Sequence, residues 1–284
     1  MSERIAIQGG PASYHEAALT QLHPDAEAVY RTTFTDVFDA LESGSVDRAV
    51  VAIANNRIQY LPDTYEYIMT SGTDFKITGE TYLQVRHALL APPGATLEGV
   101  KEVHSQAPAL GQCSHFLEHT LPDVEIIEHA DTALSAKVVS GLNDPTKAAI
   151  ASLAAGELHG LDVLQLGVQD DPSNITRFIE LQLAKDATPI QGADKTTMLL
   201  VTPQTTGALA DALVIFKDAD INLSSLQSML IPNSAFDMRF FLEFEAGLTD
   251  ARTERVLGGL RTAGCKSRIL GSYVSSPIPT NGNH

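Results

Sequence analysis

His115 and His119, two histidines one helical turn apart, have the residue type and the spacing of metal ligands. Residues four apart lie on the same face of a helix, so both imidazoles could reach one metal ion, with the thiol of Cys113 nearby. The sequence places no third ligand beside them. We therefore expect no metal centre here, and we expect Cys113 to be a helix residue and not a nucleophile.

The first strand of the chain is followed by a segment that indicates a ligand site. Ile5-Ala6-Ile7 is a short apolar run that leads to Gly9-Gly10-Pro11. Ser13 is a good helix N-cap, and Glu16 three residues later completes the pattern of a capping box, which predicts a helix through Leu22. Open α/β sheets bind ligands at the carboxyl ends of their strands, and the main-chain N–H groups of this helix start could hold an anion.

The composition excludes several classes of protein. The 284 residues include 19 Lys and Arg against 35 Asp and Glu, a formal net charge of −16. Nucleic-acid binding needs clustered positive charge, and anionic membrane surfaces repel a chain of this sign. No apolar run approaches the roughly 20 residues that cross a bilayer, and the residues before Ile5 lack the apolar core of a secretory signal. We expect a cytoplasmic protein with reduced thiols and with neither nucleic-acid nor membrane partners.

The elements that must position a site alternate between strands and helices over residues 1–184. Ala49–Ile53 is a near-continuous apolar strand, as a parallel sheet covered on both faces requires. Thr81–Ala91 is predicted as one strand and Ala109–His119 as one helix. This alternation predicts an α/β fold with helices on both sheet faces.

The pattern changes after residue 184. Residues 185–195 lack periodicity and contain Pro189 and Gly192, which indicates a linker. Residues 196–275 then follow the order strand, helix, strand, strand, helix, strand. This order predicts a ferredoxin-like α+β domain.

A run of five residues carries the most specific resemblance of the chain. Asn174-Ile175-Thr176-Arg177-Phe178 matches the Asn-x-Thr-Arg-Phe signature of the prephenate dehydratase family, with Asp170-Asp171 and Gly160-Leu161 before it. Further matches follow in the order of the family's motifs, at Gly9, Ser13-Tyr14, Asn55, Gly79-Glu80, His87, Ser105, Gln112-Cys113, Thr132-Ala133, Ala136 and Gly207-Ala208-Leu209. The chain therefore resembles this family over roughly residues 4–275.

The resemblance implies a two-part architecture. A catalytic α/β part at residues 1–184 is expected to form two lobes, like periplasmic binding proteins, from roughly residues 1–78 with 177–184 and residues 79–176. The site is expected in the cleft between the lobes. An ACT regulatory domain is expected at residues 196–275, and because ACT domains commonly pair, we expect a homodimer or homotetramer.

The resemblance also implies the reaction and its residues. Members of the family convert prephenate to phenylpyruvate, water and carbon dioxide in phenylalanine biosynthesis, without a cofactor. The catalytic positions correspond to four uncharged hydrogen-bonding residues, Asn55, Ser105, Gln112 and Thr176, and Thr176 is the expected donor to the departing hydroxyl. The expected substrate-binding residues are Ser13, Tyr14, Arg57, Thr132, Ala133, Arg177 and Phe178. The two arginines are included because arginine pairs well with the carboxylates of prephenate.

The chain departs from the family pattern at three motifs. Ala54 replaces a glutamate, Gln106-Ala107-Pro108 replaces His-Pro-Gln, and Gln227-Ser228-Met229-Leu230 replaces the Glu-Ser-Arg-Pro of ACT domains. The expected regulatory residues, for an amino-acid effector, are therefore Gly207, Ala208, Leu209 and Ser228. Three alternatives stay open: an arogenate dehydratase, a prephenate decarboxylase that keeps the hydroxyl, and a non-catalytic small-molecule-binding regulatory protein.

Overall fold

A computed structural model describes residues 2–57, 59–60, 62–231 and 238–279. Contacts divide the chain into two compact units. Unit 1 comprises Met1–Thr64, Thr81–Phe178 and Pro277–His284, and unit 2 comprises Tyr65–Glu80 and Ile179–Ser276. Residues 65–80 and 179–184 thus group with the second unit, whereas the sequence analysis assigned them to the catalytic part. The predicted domain and lobe boundaries stay predictions.

The elements of the described residues run in the following order along the chain. The strands are β1 (Arg4–Gln8), β2 (Glu27–Arg31), β3 (Arg48–Asn55), β4 (Gln59–Tyr60), β5 (Phe75–Gln84), β6 (Ala88–Ala91), β7 (Glu102–Ser105), β8 (Glu125–Glu128), β9 (Lys147–Ala151), β10 (Asp162–Leu166), β11 (Ile175–Leu183), β12 (Lys195–Val201), β13 (Leu223–Leu230), β14 (Met238–Phe244) and β15 (Lys266–Tyr273). The helices are α1 (Tyr14–Leu22), α2 (Phe34–Glu42), α3 (Pro62–Thr70), α4 (Ala107–Gln112), α5 (Ser114–Thr120), α6 (Thr132–Leu142), α7 (Leu153–His159), α8 (Ala208–Asp218) and α9 (Ala251–Thr262). None of these helices is long and apolar enough to span a lipid bilayer.

The first sheet of unit 1 is parallel around its first strand. β1 pairs in parallel with β2 and with β3, and β11 is the next strand beyond β3. Helices α1 and α2 pack on these strands, and Ile5, Ile7, Val50 and Phe178 are buried in a shared core cluster. Because parallel strands end at the same edge of a sheet, β3 brings Asn55 to the edge where ligands bind in open α/β sheets.

The second sheet of unit 1 has the order β10-β6-β9-β7-β8. β7 is parallel to β8 and β9, whereas β6 is antiparallel to β9 and β10. Helix α6 packs on β7 and β9, with Ala136, Val139 and Ala149 in their common core. Two sheets with helices packed on them confirm the predicted α/β class.

The larger segment of unit 2 follows the order β12-α8-β13-β14-α9-β15. Its strands form an antiparallel arrangement in the order β13-β14-β12-β15, and α8 and α9 pack on it through a core that includes Met198, Phe216, Leu242 and Leu260. This is the predicted ferredoxin-like arrangement. Lys195, at the start of β12, is buried with its ammonium 2.9 Å from a carboxylate oxygen of Glu80.

Several predicted elements differ from the observed ones. The predicted helix Ala109–His119 is two helices, because Cys113 has a non-helical backbone (φ −117°, ψ 18°) between α4 and α5. The predicted strand Thr81–Ala91 is also two strands, with a break at residues 85–87. β2, α3 and β10 were not predicted, because none of them carries a strong apolar period in a short segment.

Candidate active site

The candidate site begins where β3 and β11 lie side by side. The Nδ2 of Asn55, the last residue of β3, donates to the hydroxyl oxygen of Thr176 over 2.9 Å. Asn56 fixes this juxtaposition, because its backbone N–H donates to the Ile175 carbonyl and its side-chain Oδ1 accepts from the Ile175 N–H, at 3.0 and 2.9 Å. No sequence pattern indicated a role for Asn56. Thr176 therefore sits at a fixed place on the edge of the first sheet.

A hydrogen-bonded chain continues from Asn55 to Asn174, Gln112 and His87. Asn55 Nδ2 also donates to Oδ1 of Asn174 over 2.8 Å, and Asn174 Nδ2 donates to Oε1 of Gln112 over 2.6 Å. Oε1 of Gln112 lies 3.2 Å from Nε2 of His87. Asn174 and His87 are almost completely buried, at 1% and 3% exposure. The structure thus links three of the four predicted catalytic residues through Asn174, which the sequence analysis quoted only as part of the signature.

One backbone group determines the direction of every hydrogen bond in this chain. The Arg57 N–H can only donate, and it donates to Asn55 Oδ1 over 2.9 Å. The amide nitrogen of Asn55 must therefore face Asn174 Oδ1 and Thr176 Oγ1. Asn174 must then donate to Gln112 Oε1.

Two hydrogen-bond donors of this network have no acceptor among the described residues. Thr176 Oγ1 accepts from Asn55, and no described residue accepts the hydroxyl hydrogen of Thr176. Gln112 Oε1 is occupied twice, and no described residue accepts from its amide Nε2. Both side chains are partly exposed. The arrangement can therefore offer a hydroxyl and an amide donor, both uncharged, to a bound molecule.

Ser105 lies outside this network. Its side chain is fully buried, and its hydroxyl donates to the Ile150 carbonyl over 2.7 Å across the β7–β9 pair. The hydroxyl hydrogen is used in that bond, so Ser105 is not brought together with Asn55, Gln112 and Thr176. Its catalytic role stays a prediction.

Comparison with known proteins places the chain in a family. Residues 5–186 match the family model described as prephenate dehydratase. The chain belongs to the prephenate dehydratase family. Members of this family are lyases, and the match extends from β1 through the end of β11.

Curated relatives match almost the whole chain. Arogenate dehydratase 2 of Petunia hybrida is 34% identical over 291 residues, which is 96% of this chain and 72% of that protein. Arogenate dehydratase/prephenate dehydratase 2, chloroplastic, of Arabidopsis thaliana is also 34% identical, over 98% of this chain and 73% of that protein. The match therefore includes the ferredoxin-like segment beyond residue 186.

Two solved structures are similar over nearly their full lengths. Prephenate dehydratase of Arthrobacter aurescens, in complex with L-Phe, has a TM-score of 0.83 and 30% identity over 96% of this chain and 90% of that one. GqqA, described as a novel type of quorum-quenching acylase, has a TM-score of 0.85 and 28% identity over 97% of this chain and 99% of that one.

The predicted helix start at Ser13 and Tyr14 lies beside the network. Ser13 caps α1 by accepting from the Glu16 N–H, but the predicted capping box does not form, because the Glu16 carboxylate binds the Ala12 N–H and the Tyr30 hydroxyl instead. The Tyr14 hydroxyl donates to the Arg86 carbonyl over 2.6 Å, and its ring meets His87 edge-on at 5.9 Å. Burial raises the pKa of Tyr14, so it stays protonated.

The predicted arginines have different surroundings. Arg57 is half-exposed and its guanidinium lies 3.0 Å from the carboxylate of Asp171. Hydrogen bonds from Ser173, followed by the charge of Arg57, lower the pKa of Asp171. Arg177 is buried at 8% exposure with its guanidinium 5.9 Å from the centre of the Tyr82 ring.

Phe178 requires a correction. Side chains two apart on a strand share a face, so Thr176 and Phe178 point the same way along β11. Phe178 is nevertheless only 1% exposed, packed with Ile5 and Val50 and edge-on to His15 at 5.1 Å. It therefore belongs to the core of the first sheet and does not line a substrate site.

Thr132 and Ala133 form the first turn of α6. Both are buried, and Asp131 caps the helix by accepting from the Leu134 N–H over 2.7 Å. No described residue hydrogen-bonds to the Thr132 hydroxyl, so it is available to a ligand.

The predicted regulatory residues lie in unit 2. Gly207 precedes α8 with φ 84°, a left-handed conformation that favours glycine. Ala208 and Leu209 open that helix, half-buried, and Ser228 is exposed on β13. Their role stays a prediction.

The histidine pair carries no metal cluster. The rings of His115 and His119 stack at 4.1 Å, and Nδ1 of His119 lies 2.9 Å from the His115 carbonyl. Among the residues that the structure describes, no three His, Cys, Asp or Glu side chains are grouped to hold a metal ion. Burial raises the pKa of Cys113 to about 12, so its thiol stays protonated near pH 7. Cys113 was predicted to be a helix residue, but it lies between α4 and α5.

Proposed function

We propose that this chain converts prephenate to phenylpyruvate, water and carbon dioxide. The single observation that carries the proposal is the hydrogen bond from Asn55 to Thr176, which occupies the hydroxyl oxygen and leaves its hydrogen without an acceptor among the described residues. Membership of the prephenate dehydratase family supports the same reaction.

The reaction needs a hydrogen-bond donor at one oxygen. The bond between the ring and its carboxylate breaks to release carbon dioxide, and the electron pair moves into the ring. The bond between the ring and its hydroxyl then breaks, and the ring becomes aromatic. Hydroxide is a poor leaving group, so the oxygen must receive a proton as it departs; a positioned donor contributes about 10²–10⁴-fold. The Thr176 hydroxyl passes its proton to the departing oxygen, which leaves as water, and takes one proton back from solvent, so the dianion and one solvent proton give the phenylpyruvate anion, carbon dioxide and water.

The uncharged character of the network suits a dianionic substrate. A carboxylate close to the reacting ring would repel both carboxylates of prephenate, and the linked residues Asn55, Gln112, Asn174 and Thr176 carry none. No described residue accepts from the amide Nε2 of Gln112, so this group can donate to a substrate oxygen. Arg57, half-exposed and beside the network, supplies positive charge in a chain of net charge −16.

The test is an incubation of the purified protein with prephenate, followed by product analysis. Phenylpyruvate absorbs strongly in alkali, whereas a decarboxylated diene that keeps the hydroxyl does not. We expect phenylpyruvate and carbon dioxide in equal amounts. Carbon dioxide without phenylpyruvate would identify a decarboxylase, and no turnover would identify a binding protein; either result contradicts the proposal.

Arogenate is the second candidate substrate, because the relatives from Petunia and Arabidopsis are named arogenate dehydratases. Arogenate has an amino group where prephenate has a ketone, so the two differ in charge at the side chain. The ratio of kcat/KM for the two compounds, measured on one preparation, decides between them.

The similarity to GqqA does not lead us to propose an acylase. Acyl transfer needs a nucleophile next to a base. The hydroxyl of Ser105 donates to a backbone carbonyl, and burial raises the pKa of the thiol of Cys113 to about 12. Neither residue is therefore activated.

We further propose that residues 196–275 act as an ACT domain that binds an amino-acid effector and joins copies of the chain into a homodimer or homotetramer. Its ferredoxin-like order supports the first part, as does the L-Phe in the Arthrobacter structure. β13 is the last strand of its sheet and exposes Leu226 and Leu230, which supports pairing through that strand. Calorimetry with the three aromatic amino acids and light scattering test the two parts. The cytoplasmic location also stays a prediction, since the Arabidopsis relatives are named chloroplastic.

A further inference from the structure

His87 lies at the end of the hydrogen-bonded chain, in a place where it cannot shift. Its backbone N–H donates to Oε1 of Gln169 over 2.9 Å, and its carbonyl accepts from the Val168 N–H over 3.1 Å. The ring is buried, with the Tyr14 ring against it. The position of the imidazole is therefore set by both backbone and packing.

The hydrogen-bond directions fix the tautomer of this imidazole. Gln112 Oε1 is an acceptor, because it already receives the Asn174 amide, so His87 Nε2 must carry a hydrogen and donate to it. Burial lowers the pKa of His87 to about 4, so the ring is neutral near pH 7 and its Nδ1 has no hydrogen.

This tautomer leaves one atom without a partner. Nδ1 of His87 is fully buried, and no described residue donates a hydrogen bond to it. A buried polar atom without a partner costs about 1–3 kcal/mol, and an apolar side chain of similar size would avoid that cost. A histidine at this position is therefore not explained by stability alone.

We propose that His87 is a positioning residue for Gln112. The His87 Nε2–H and the Asn174 side-chain amide both donate to Oε1 of Gln112. Two donors on this oxygen fix the orientation of the Gln112 amide group, so that its Nε2, which no described residue accepts from, is held toward the substrate. His87 does not itself touch substrate, because its ring is buried. The role in turnover rests on the proposed function, whereas the hydrogen-bond geometry does not.

The variants for the test differ in where they place a donor. Glutamine has its amide nitrogen the same number of bonds from Cα as His87 Nε2, so His87→Gln keeps a donor for Gln112. His87→Leu removes the donor at similar volume. We expect His87→Leu to lower kcat about tenfold, which corresponds to the roughly 1.4 kcal/mol of one hydrogen bond, with a smaller change in KM. His87→Gln is expected to recover most of that loss.

A double-mutant cycle separates positioning from general damage. If His87 acts through Gln112, His87→Leu lowers kcat no further once Gln112→Ala is present. His15→Leu is the matched control, because His15 is another neutral histidine of unit 1, half-buried, whose pKa desolvation lowers to about 4. Its effect is expected to add to that of Gln112→Ala. Additive effects of His87→Leu and Gln112→Ala would overturn the proposal.

A second measurement does not depend on turnover. The ¹⁵N spectrum of histidine-labelled protein distinguishes a ring protonated at Nε2 from one protonated at Nδ1. We expect the Nε2–H form for His87 and a change of the Gln112 side-chain NH₂ resonances in His87→Leu. The Nδ1–H form, or unchanged Gln112 resonances, would refute the positioning role even in a protein that does not turn over prephenate. Absence of turnover with the expected spectrum would instead refute the proposed function.

Discussion

The amide nitrogen of Asn55 lies 2.9 Å from the hydroxyl oxygen of Thr176, although the two residues are 121 positions apart in the sequence. The bond orients the Thr176 hydroxyl, because an oxygen that accepts from Asn55 directs its own hydrogen elsewhere. Adjacent strands make the contact possible: β3 ends at Asn55 and β11 begins at Ile175. Removing either side of this pair should therefore change the reaction in a specific way.

Thr176→Ala is expected to lower kcat by 10²–10⁴-fold, the range typical of a positioned proton donor. The serine variant keeps a hydroxyl at the same place and should retain activity within about tenfold of the wild type. Thr176→Val, which is close in shape, should behave like alanine. Steady-state assays with prephenate and thermal melts check this prediction. Wild-type turnover in the folded valine variant would falsify the role of Thr176.

Asn55→Asp tests the direction of the hydrogen bonds. A carboxylate still accepts from the Arg57 N–H, but it cannot donate to Thr176 or Asn174. The Thr176 hydroxyl then turns to donate to the new carboxylate and no longer reaches substrate. We expect kcat to fall at least as far as in Asn55→Ala and KM to rise, because the new charge repels the dianion. An aspartate variant more active than the alanine variant contradicts the assigned direction.

The sequence predicted the strands that carry the site better than the hydrogen bonds between its side chains. The apolar run before Asn55 and the signature around Thr176 identified both strands, because a buried strand is a nearly continuous run of apolar residues. The connections through Asn174 could not be predicted, since they depend on a short distance between side chains that are 62 positions apart in the sequence. The signature did contain Asn174, but a motif does not say which of its residues bonds to which.

Ser105 and Phe178 show the limit of carrying roles over by motif. Both lie in matched segments, yet one donates to a backbone carbonyl inside a sheet and the other packs in a core. Strand periodicity alone places Phe178 on the same face as Thr176. The helix that packs on this face determines which residues of β11 are exposed and which are buried. No local sequence pattern contains that information.

Arg57→Ala is expected to raise KM for prephenate about five- to tenfold and to leave kcat nearly unchanged. The guanidinium is half-exposed, so it can reach a substrate carboxylate, but its contribution is limited by solvent screening and by its pairing with Asp171. Arg4→Ala is the control, because Arg4 is an exposed cation at the opposite end of the first sheet, near Glu27. An unchanged KM in Arg57→Ala removes Arg57 from the site.

Ala12→Gly is expected to stabilise the protein by about 1 kcal/mol. Ala12 has φ 64°, the left-handed region that is unfavourable for alanine by roughly 1–2 kcal/mol. The entropy that glycine loses on folding offsets part of the gain. Ala17→Gly is the control, at an exposed position inside helix α1, where glycine should lower the free energy of unfolding by about 1 kcal/mol. Urea unfolding measures the free energy of unfolding of both variants. A lower free energy of unfolding in Ala12→Gly than in the wild type would contradict the claim that Ala12 is strained.

The stability of unit 1 is expected to fall as the pH drops from 6.5 toward 4. Burial holds the pKa of His87 and of His15 at about 4 in the folded state, whereas an unfolded histidine titrates near 6.5. Between these two pH values the unfolded state binds more protons than the folded state, so the free energy of unfolding rises with pH. The stability that the neutral histidines contribute is lost on acidification. For each histidine the loss is on the order of 2 kcal/mol at pH 4.5. Urea unfolding at pH 4.5 and 6.5 should therefore show a smaller pH dependence in His87→Leu and His15→Leu than in the wild type. Equal pH dependence in all three proteins contradicts the buried neutral state of both rings.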